Sequence, residues 1–152
     1  MRGSQNLKQR GELAELAFTY KAASLGFGVA KPFGVSERYD FILDSGRRLL
    51  RVQVKSVGAL RDGAYYVNAQ RRTGKGVAPY RPSEIDFLVA HVIPEDAWFV
   101  IPVRAIMHLK TVRLYPPNPP KGEYCQYREA WQLMKPRGKK KEHPALDVDD
   151  DG

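Results

Sequence analysis

Between residues 7 and 25 the apolar positions Leu13, Leu16, Ala17, Tyr20 and Ala23/Ser24 recur three and four apart, and the run stops at Gly26 with a second glycine at Gly28. That spacing predicts an amphipathic helix buried along this stripe. Ala14, Phe18 and Ala22 give the same helix a second apolar side. Residues 29–33 read as a short strand. Residues 39–43 (YDFIL) and Leu49–Val57 (LLRVQVKSV) read as strands joined across Asp44-Ser45-Gly46, so a hairpin is expected. Residues 64–70 form a further strand, 85–93 (IDFLVAHVI) a buried one, and 97–103 (AWFVIPV) its partner across Pro94-Glu95-Asp96. Tyr124, Tyr127, Trp131 and Met134 lie on one helical stripe, which predicts a closing helix over 123–134. The proline-rich stretch 115–122 reads as an extended surface connector. The order of elements gives a mixed α/β domain whose antiparallel-rich central sheet is flanked by helices.

Composition narrows this picture. The chain has 152 residues, 43% of them hydrophobic and 28% charged, which suits one folded domain over residues 1–134. Residues 135–152 (KPRGKKKEHPALDVDDDG) read as a flexible tail, basic and then acidic. No apolar run approaches the roughly 20 residues that span a bilayer, and the first residues lack a signal-peptide core, so a cytoplasmic protein with no membrane partner is expected. The single Cys125 excludes an internal disulfide, and with three histidines a Cys/His zinc site is not expected. Cys125 reads as a packing residue on the apolar side of the last helix, and His91 as a hydrogen-bonded core residue.

Charge is more informative. Lys and Arg number 25 against 17 Asp and Glu, a formal +8. The tail holds five of each sign, so the whole excess belongs to residues 1–134. Arg61, Arg71, Arg72, Lys75 and Arg81 cluster between Ser56 and Ser83 with only Asp62 in opposition, interleaved with Tyr65, Tyr66 and Tyr80. Such a segment is either a phosphate-tracking surface or an exposed basic hairpin and loop.

Alternation along Leu49–Val57 puts Arg51, Gln53 and Lys55 on one face and Leu50, Val52, Val54 and Ser56 on the other. The hairpin brings Asp40 to the strand beside Gln53 and Lys55. A carboxylate, an amide oxygen and an ammonium suit a divalent cation facing a phosphate, and they also suit a structural Asp–Lys pair at a sheet edge. No G-x-S-x-G, Walker A or G-x-G-x-x-G motif is present.

In order along the chain stand Gly11 and Glu15, Tyr39-Asp40, Val52-Gln53-Val54-Lys55, Tyr80 before Ile85-Asp86-Phe87, and Phe99-Val100-Ile101-Pro102. Over about residues 8–134 this pattern resembles the PD-(D/E)XK nuclease superfamily, in the branch of group I intron-encoded homing endonucleases that carries Gln at the second acidic position. The resemblance implies a restriction-endonuclease-like core and hydrolysis of double-stranded DNA phosphodiesters with Mg²⁺, Mn²⁺ substituting. It makes Asp40 the principal metal ligand, Gln53 a second or water-mediated one, and the Val54 carbonyl a further one. Lys55 would position and activate the attacking water, and Glu15 matches the helix carboxylate that orients a metal-bound water. Arg61, Arg71, Arg72, Lys75, Tyr80 and Arg81 would then be DNA-binding residues. Two departures matter: Tyr39 replaces the eponymous proline, and Gln53, lacking a charge, weakens cation binding and makes a second metal less secure. Helical periodicity favours Glu12 as the inward carboxylate, whereas the family spacing favours Glu15. Because duplex cleavage needs two active sites, a homodimer or homotetramer is expected. Alternatives are a structure-selective nuclease resembling Holliday junction resolvases and a catalytically silent DNA-binding module of the same fold.

Overall fold

The longest strand organises the molecule. In the computed structural model, which describes residues 6–34, 38–116 and 118–135, β3 (Leu49–Val57) buries Leu50, Val52 and Val54 on one face and leaves Arg51, Gln53 and Lys55 half-buried on the other. It pairs antiparallel with β2 (Phe41–Asp44), on whose far side lies the short edge strand β1 (Gly28–Ala30). On its other side it runs parallel to β7 (Phe87–Val92), which forms a hairpin with β8 (Ala97–Pro102), so the sheet order is β1-β2-β3-β7-β8. Asp86 fixes the parallel register: its N–H donates to the Arg51 carbonyl at 2.9 Å, and its carboxylate accepts the Arg51 N–H at 2.8 Å. As expected of a strand with parallel pairing and cover on both faces, β7 is buried almost throughout.

The helix α1 (Leu7–Ser24) starts at Asn6, whose side chain accepts the Gln9 N–H at 2.8 Å. Its buried stripe is Ala14, Phe18 and Ala22, whereas Leu13, Leu16 and Tyr20 are 48%, 67% and 79% exposed, so the first stripe expected from the sequence faces outward. The reason is closeness of approach. Small side chains on either side of Phe18 let the helix settle on the sheet, and the Phe18 ring centre comes within 5.0 Å of Phe41, 6.3 Å of Trp98 and 6.4 Å of Trp131.

The opposite face of the sheet is covered mainly by strands. The parallel crossover from β3 to β7 contains β4 (Tyr65–Asn68) and a hairpin of β5 (Gln70–Thr73) and β6 (Gly76–Pro79). β4 pairs antiparallel with β9 (Thr111–Leu114), a strand the hydrophobic pattern did not reveal. The expected strand over 64–70 divides at Asn68, whose side-chain oxygen accepts the Gln70 N–H and turns the chain into β5. Tyr65, Val67, Val112 and Leu114 meet Leu88 and Ile101 of the central sheet in a second core.

No closing α-helix forms over 123–134. Two 3₁₀ turns, Cys125–Tyr127 and Trp131–Met134, flank Glu129, which sits at φ +53° and donates its N–H to the Trp98 carbonyl. The apolar stripe serves both cores: Trp131 and Met134 enter the one under α1, and Tyr124 and Tyr127 pack on the other. A straight helix cannot reach both sides of a sheet edge. Cys125 is consequently exposed, against the expectation of a packing role. His91 behaves as expected, stacked on Trp98 at 4.0 Å with Nε2 2.9 Å from Asp96 Oδ1. No helix among the described residues is long and apolar enough to cross a membrane. Residues 136–152, nearly all of the expected tail, lie outside the described residues.

Burial of the Phe18 stripe carries a direct consequence for stability. Phe18→Ala should cost about 3–5 kcal/mol in urea unfolding, while Leu16→Ala should stay within about 0.5 kcal/mol of the parent. Equal losses would mean that the helix buries its other side.

Candidate active site

β2 begins at Phe41, opposite Val52, while β3 runs on to Val57. Asp40 stands where β2 runs out. Its N–H donates to the Val52 carbonyl at 2.9 Å, and its Oδ2 accepts the Val54 N–H at 2.8 Å, so the carboxylate takes the ladder position a further β2 residue would have filled. In an extended strand the N–H and C=O of one residue point to the same edge, so the Val54 carbonyl is directed toward the same gap.

Asp40, Gln53 and Lys55 line one open cleft of about 490 Å³ with Arg10, Gly11 and Glu15 of α1. At Gly11 nothing stands within 4 Å of where a Cβ would lie, so the helix wall presents bare backbone to whatever occupies the cleft. Glu12 does not line this cleft and is exposed; Glu15 is the carboxylate that α1 brings to it. Glu15 Oε2 lies 2.6 Å from Lys31 Nζ, which follows the edge strand β1.

The electrostatics are those of charged groups held partly out of water. Burial pushes the Asp40 carboxyl up from its ordinary value, and the Glu15 charge pushes the same way; the Val54 N–H, Lys55 and Lys31 oppose them. Burial lowers the Lys55 ammonium, and Asp40 opposes that shift. Lys55 Nζ lies 5.8 Å from the ring centre of Tyr80. Tyr80 is itself only 3% exposed, its phenol pushed up to about 12 by burial and then by the charges of Asp40 and Glu84.

These groups suit a hard divalent cation. Among the described residues neither Asp40 Oδ1 nor the Gln53 amide has a protein hydrogen-bond partner. Together with the Val54 carbonyl they are oxygen donors carrying one negative charge. No three His, Cys, Asp or Glu side chains among the described residues gather into a cage, so a cation here could draw on Asp40 as its anionic donor with neutral oxygens beside it. That composition fits Mg²⁺, which retains several waters and binds through one or two carboxylates.

The residues of the basic segment separate. Arg61, Arg72, Lys75 and Arg81 are exposed. Tyr80 is buried, contrary to its expected place on a DNA-contacting surface, because its ring fills the second core beneath Lys55. Arg71 is likewise withdrawn: its side chain is 15% exposed and paired with Glu84, which also meets Arg38 at 3.5 Å. One cleft residue, Arg10, and one residue beside the cleft, Lys31, were not expected from the sequence. Arg10 stands four residues before Ala14 on the Ala14–Phe18–Ala22 side, so choosing that stripe would have found it. Lys31 carries no comparable signal; only the fold brings it to Glu15.

Comparison with known proteins agrees with this fold. The profile of the family described as PD-(D/E)XK endonuclease matches residues 5–134. The solved structure of a bacterial homing endonuclease, I-Ssp6803I, is similar with a TM-score of 0.74 and 33% sequence identity, over 86% of this chain and 93% of that one. No protein of curated function matches. With its mixed five-stranded sheet, packed helix and restriction-endonuclease-like fold, the chain belongs to the PD-(D/E)XK endonuclease family.

Proposed function

We propose that this endonuclease hydrolyses phosphodiester bonds of double-stranded DNA with Mg²⁺, in the manner of a homing endonuclease. The observation that carries the reading is Asp40 itself, locked to β3 through Oδ2 with Oδ1 left open beside Gln53 and Lys55. Asp40 Oδ1, the Val54 carbonyl and the Gln53 amide oxygen would hold the cation, which when bound offsets the charge gathering on the phosphate. Lys55 places its ammonium near the anionic ligand and over the Tyr80 ring, with the reach to hold a water against phosphorus. Its lowered affinity for a proton lets Nζ give one up and take one from that water. Glu15, tethered to Lys31, is a second carboxylate that can orient the water from the helix side. Arg61, Arg72, Lys75 and Arg81 would supply phosphate contacts that register the duplex. One site per chain and two strands to cut call for a homodimer or homotetramer.

Asp40→Ala and Lys55→Ala should remove cleavage while leaving duplex affinity largely intact. The assay offers supercoiled plasmid, a four-way junction and a pool of long duplexes, each with Mg²⁺ and with EDTA. Discrete Mg²⁺-dependent cuts in the pool are expected. Cutting of the junction alone would replace the proposal by a structure-selective nuclease, and binding without any cut by a silent module. An Asp40→Ala protein that nicks plasmid at the parent rate would overturn the site.

The strain on Asp40 predicts a pH signature. Its folded value lies above the unfolded one, so its favourable contribution is present below the unfolded pKa of about 3.9 and is lost as pH rises through the folded value. At pH 7 the buried anion therefore opposes folding. Asp40→Asn keeps an oxygen for the Val54 N–H and should stabilise the protein at pH 7 by about 0.5–1 kcal/mol, with the gain vanishing near pH 3. Thermal melts at both pH values check this, and a lower melting temperature for Asp40→Asn at pH 7 would contradict it.

A further inference from the structure

A pair of arginines outside the cleft shares one aromatic ring and, among the described residues, has no acidic partner. Arg61 opens a tight turn, exchanging hydrogen bonds with Ala64 at 2.8 and 3.0 Å across Asp62 and Gly63, both at positive φ. Its guanidinium carbon lies 4.4 Å from the ring centre of Tyr66 on β4. Arg113, paired with Tyr66 across the β4–β9 ladder, places its own guanidinium carbon 5.3 Å from that ring. Both arginines are exposed, and among the described residues no carboxylate lies within 4 Å of either. Glu123, which lines a separate pocket together with Arg113, pairs with neither.

Two like charges brought to one ring repel; the Tyr66 ring and, for Arg113, the Tyr115 side chain hold them in place, but among the described residues no carboxylate neutralises the pair. The arrangement becomes favourable when an anion arrives. A ring contact holds a guanidinium by its face and leaves its N–H edges free, the orientation needed for bidentate bonds to phosphate. Position also fits. The turn carrying Arg61 continues directly from β3, six residues beyond Lys55, so the chain limits their separation to about 20 Å. Along one DNA strand that is about six nucleotides, roughly half a helical turn.

We propose that Arg61 and Arg113, oriented by Tyr66, form a clamp for DNA backbone phosphate within half a helical turn of the bond presented to Asp40 and Lys55. The inference rests on the duplex-cleaving reading above and adds to it a contact surface built from β4 and β9, elements that take no part in the chemistry. The clamp sets affinity and register.

The test is duplex binding by the full chain, followed by fluorescence anisotropy in EDTA across a salt series, for the parent, Arg61→Ala/Arg113→Ala, Arg61→Lys/Arg113→Lys, Tyr66→Phe and Tyr66→Ala. Losing two phosphate contacts should weaken binding about tenfold or more and make the slope of log K against log salt shallower by about 1.8. The double lysine variant should recover the slope and only part of the affinity. Tyr66→Phe should match the parent, and Tyr66→Ala should lose affinity while keeping most of the slope. A double alanine variant with the parent's affinity and slope, in a protein that binds and cuts duplex, would overturn the clamp alone. A parent protein that neither binds nor cuts duplex would overturn the reading on which it rests.

Discussion

The hydrogen bond from the Val54 N–H to Asp40 Oδ2 joins the fold to its chemistry. β2 ends one residue after Asp40 in the direction of the cleft, and β3 continues for five residues past Val52. An unpaired strand edge of that kind ordinarily leaves backbone groups without partners. Here the carboxylate closes one of them, and in doing so it is aimed into the gap with its second oxygen open. Gln53 and Lys55 follow automatically, since they flank Val54 on a strand whose register is fixed from the other side by Asp86 and Arg51. Moving the ladder by one residue would turn both side chains to the other face of the sheet.

Holding charge at such a place costs stability. Burial acts against the ionised forms of both Asp40 and Lys55, and each partly compensates the other. Tyr80 completes the arrangement from below: its ring supports Lys55, and its phenol stays neutral far above physiological pH. The Lys31–Glu15 pair plays the same part beside the cleft, bringing a positive charge near two carboxylates that otherwise repel. Opposed titratable groups gathered in a cleft are an arrangement in which chemical sites are found.

Much of this was legible from sequence because β3 alternates buried and half-buried positions from Leu50 to Lys55, so the faces of Gln53, Lys55 and Val54 follow from counting. Asp40 followed from the length of the hairpin. The helix was harder. Leu13, Leu16 and Tyr20 are together bulkier than Ala14, Phe18 and Ala22, yet packing selects the side that fits closest. Residues 123–134 show the converse limit, a helical spacing that arises because one segment passes around β8 and feeds two cores. The strands β5, β6 and β9 are short, with exposed arginines on β5 and β9 and no bulky buried residue on β6, so their pattern is too weak to stand out; they form because Asn68 turns the chain and β4 offers a partner edge. Arg71 and Arg72 illustrate the remaining gap: adjacent in sequence, they divide between an internal ion pair and the surface, a choice made by Glu84 from across the chain.

The central claim is that Asp40 anchors a divalent cation between β2 and β3. Crystals of the full chain soaked in Mn²⁺ and measured for anomalous scattering test it directly. The account predicts a peak about 2–2.5 Å from Asp40 Oδ1, on the side of the Val54 carbonyl and Gln53, that disappears in Asp40→Asn. A peak elsewhere with Asp40 free, or a peak unchanged in Asp40→Asn, would contradict it.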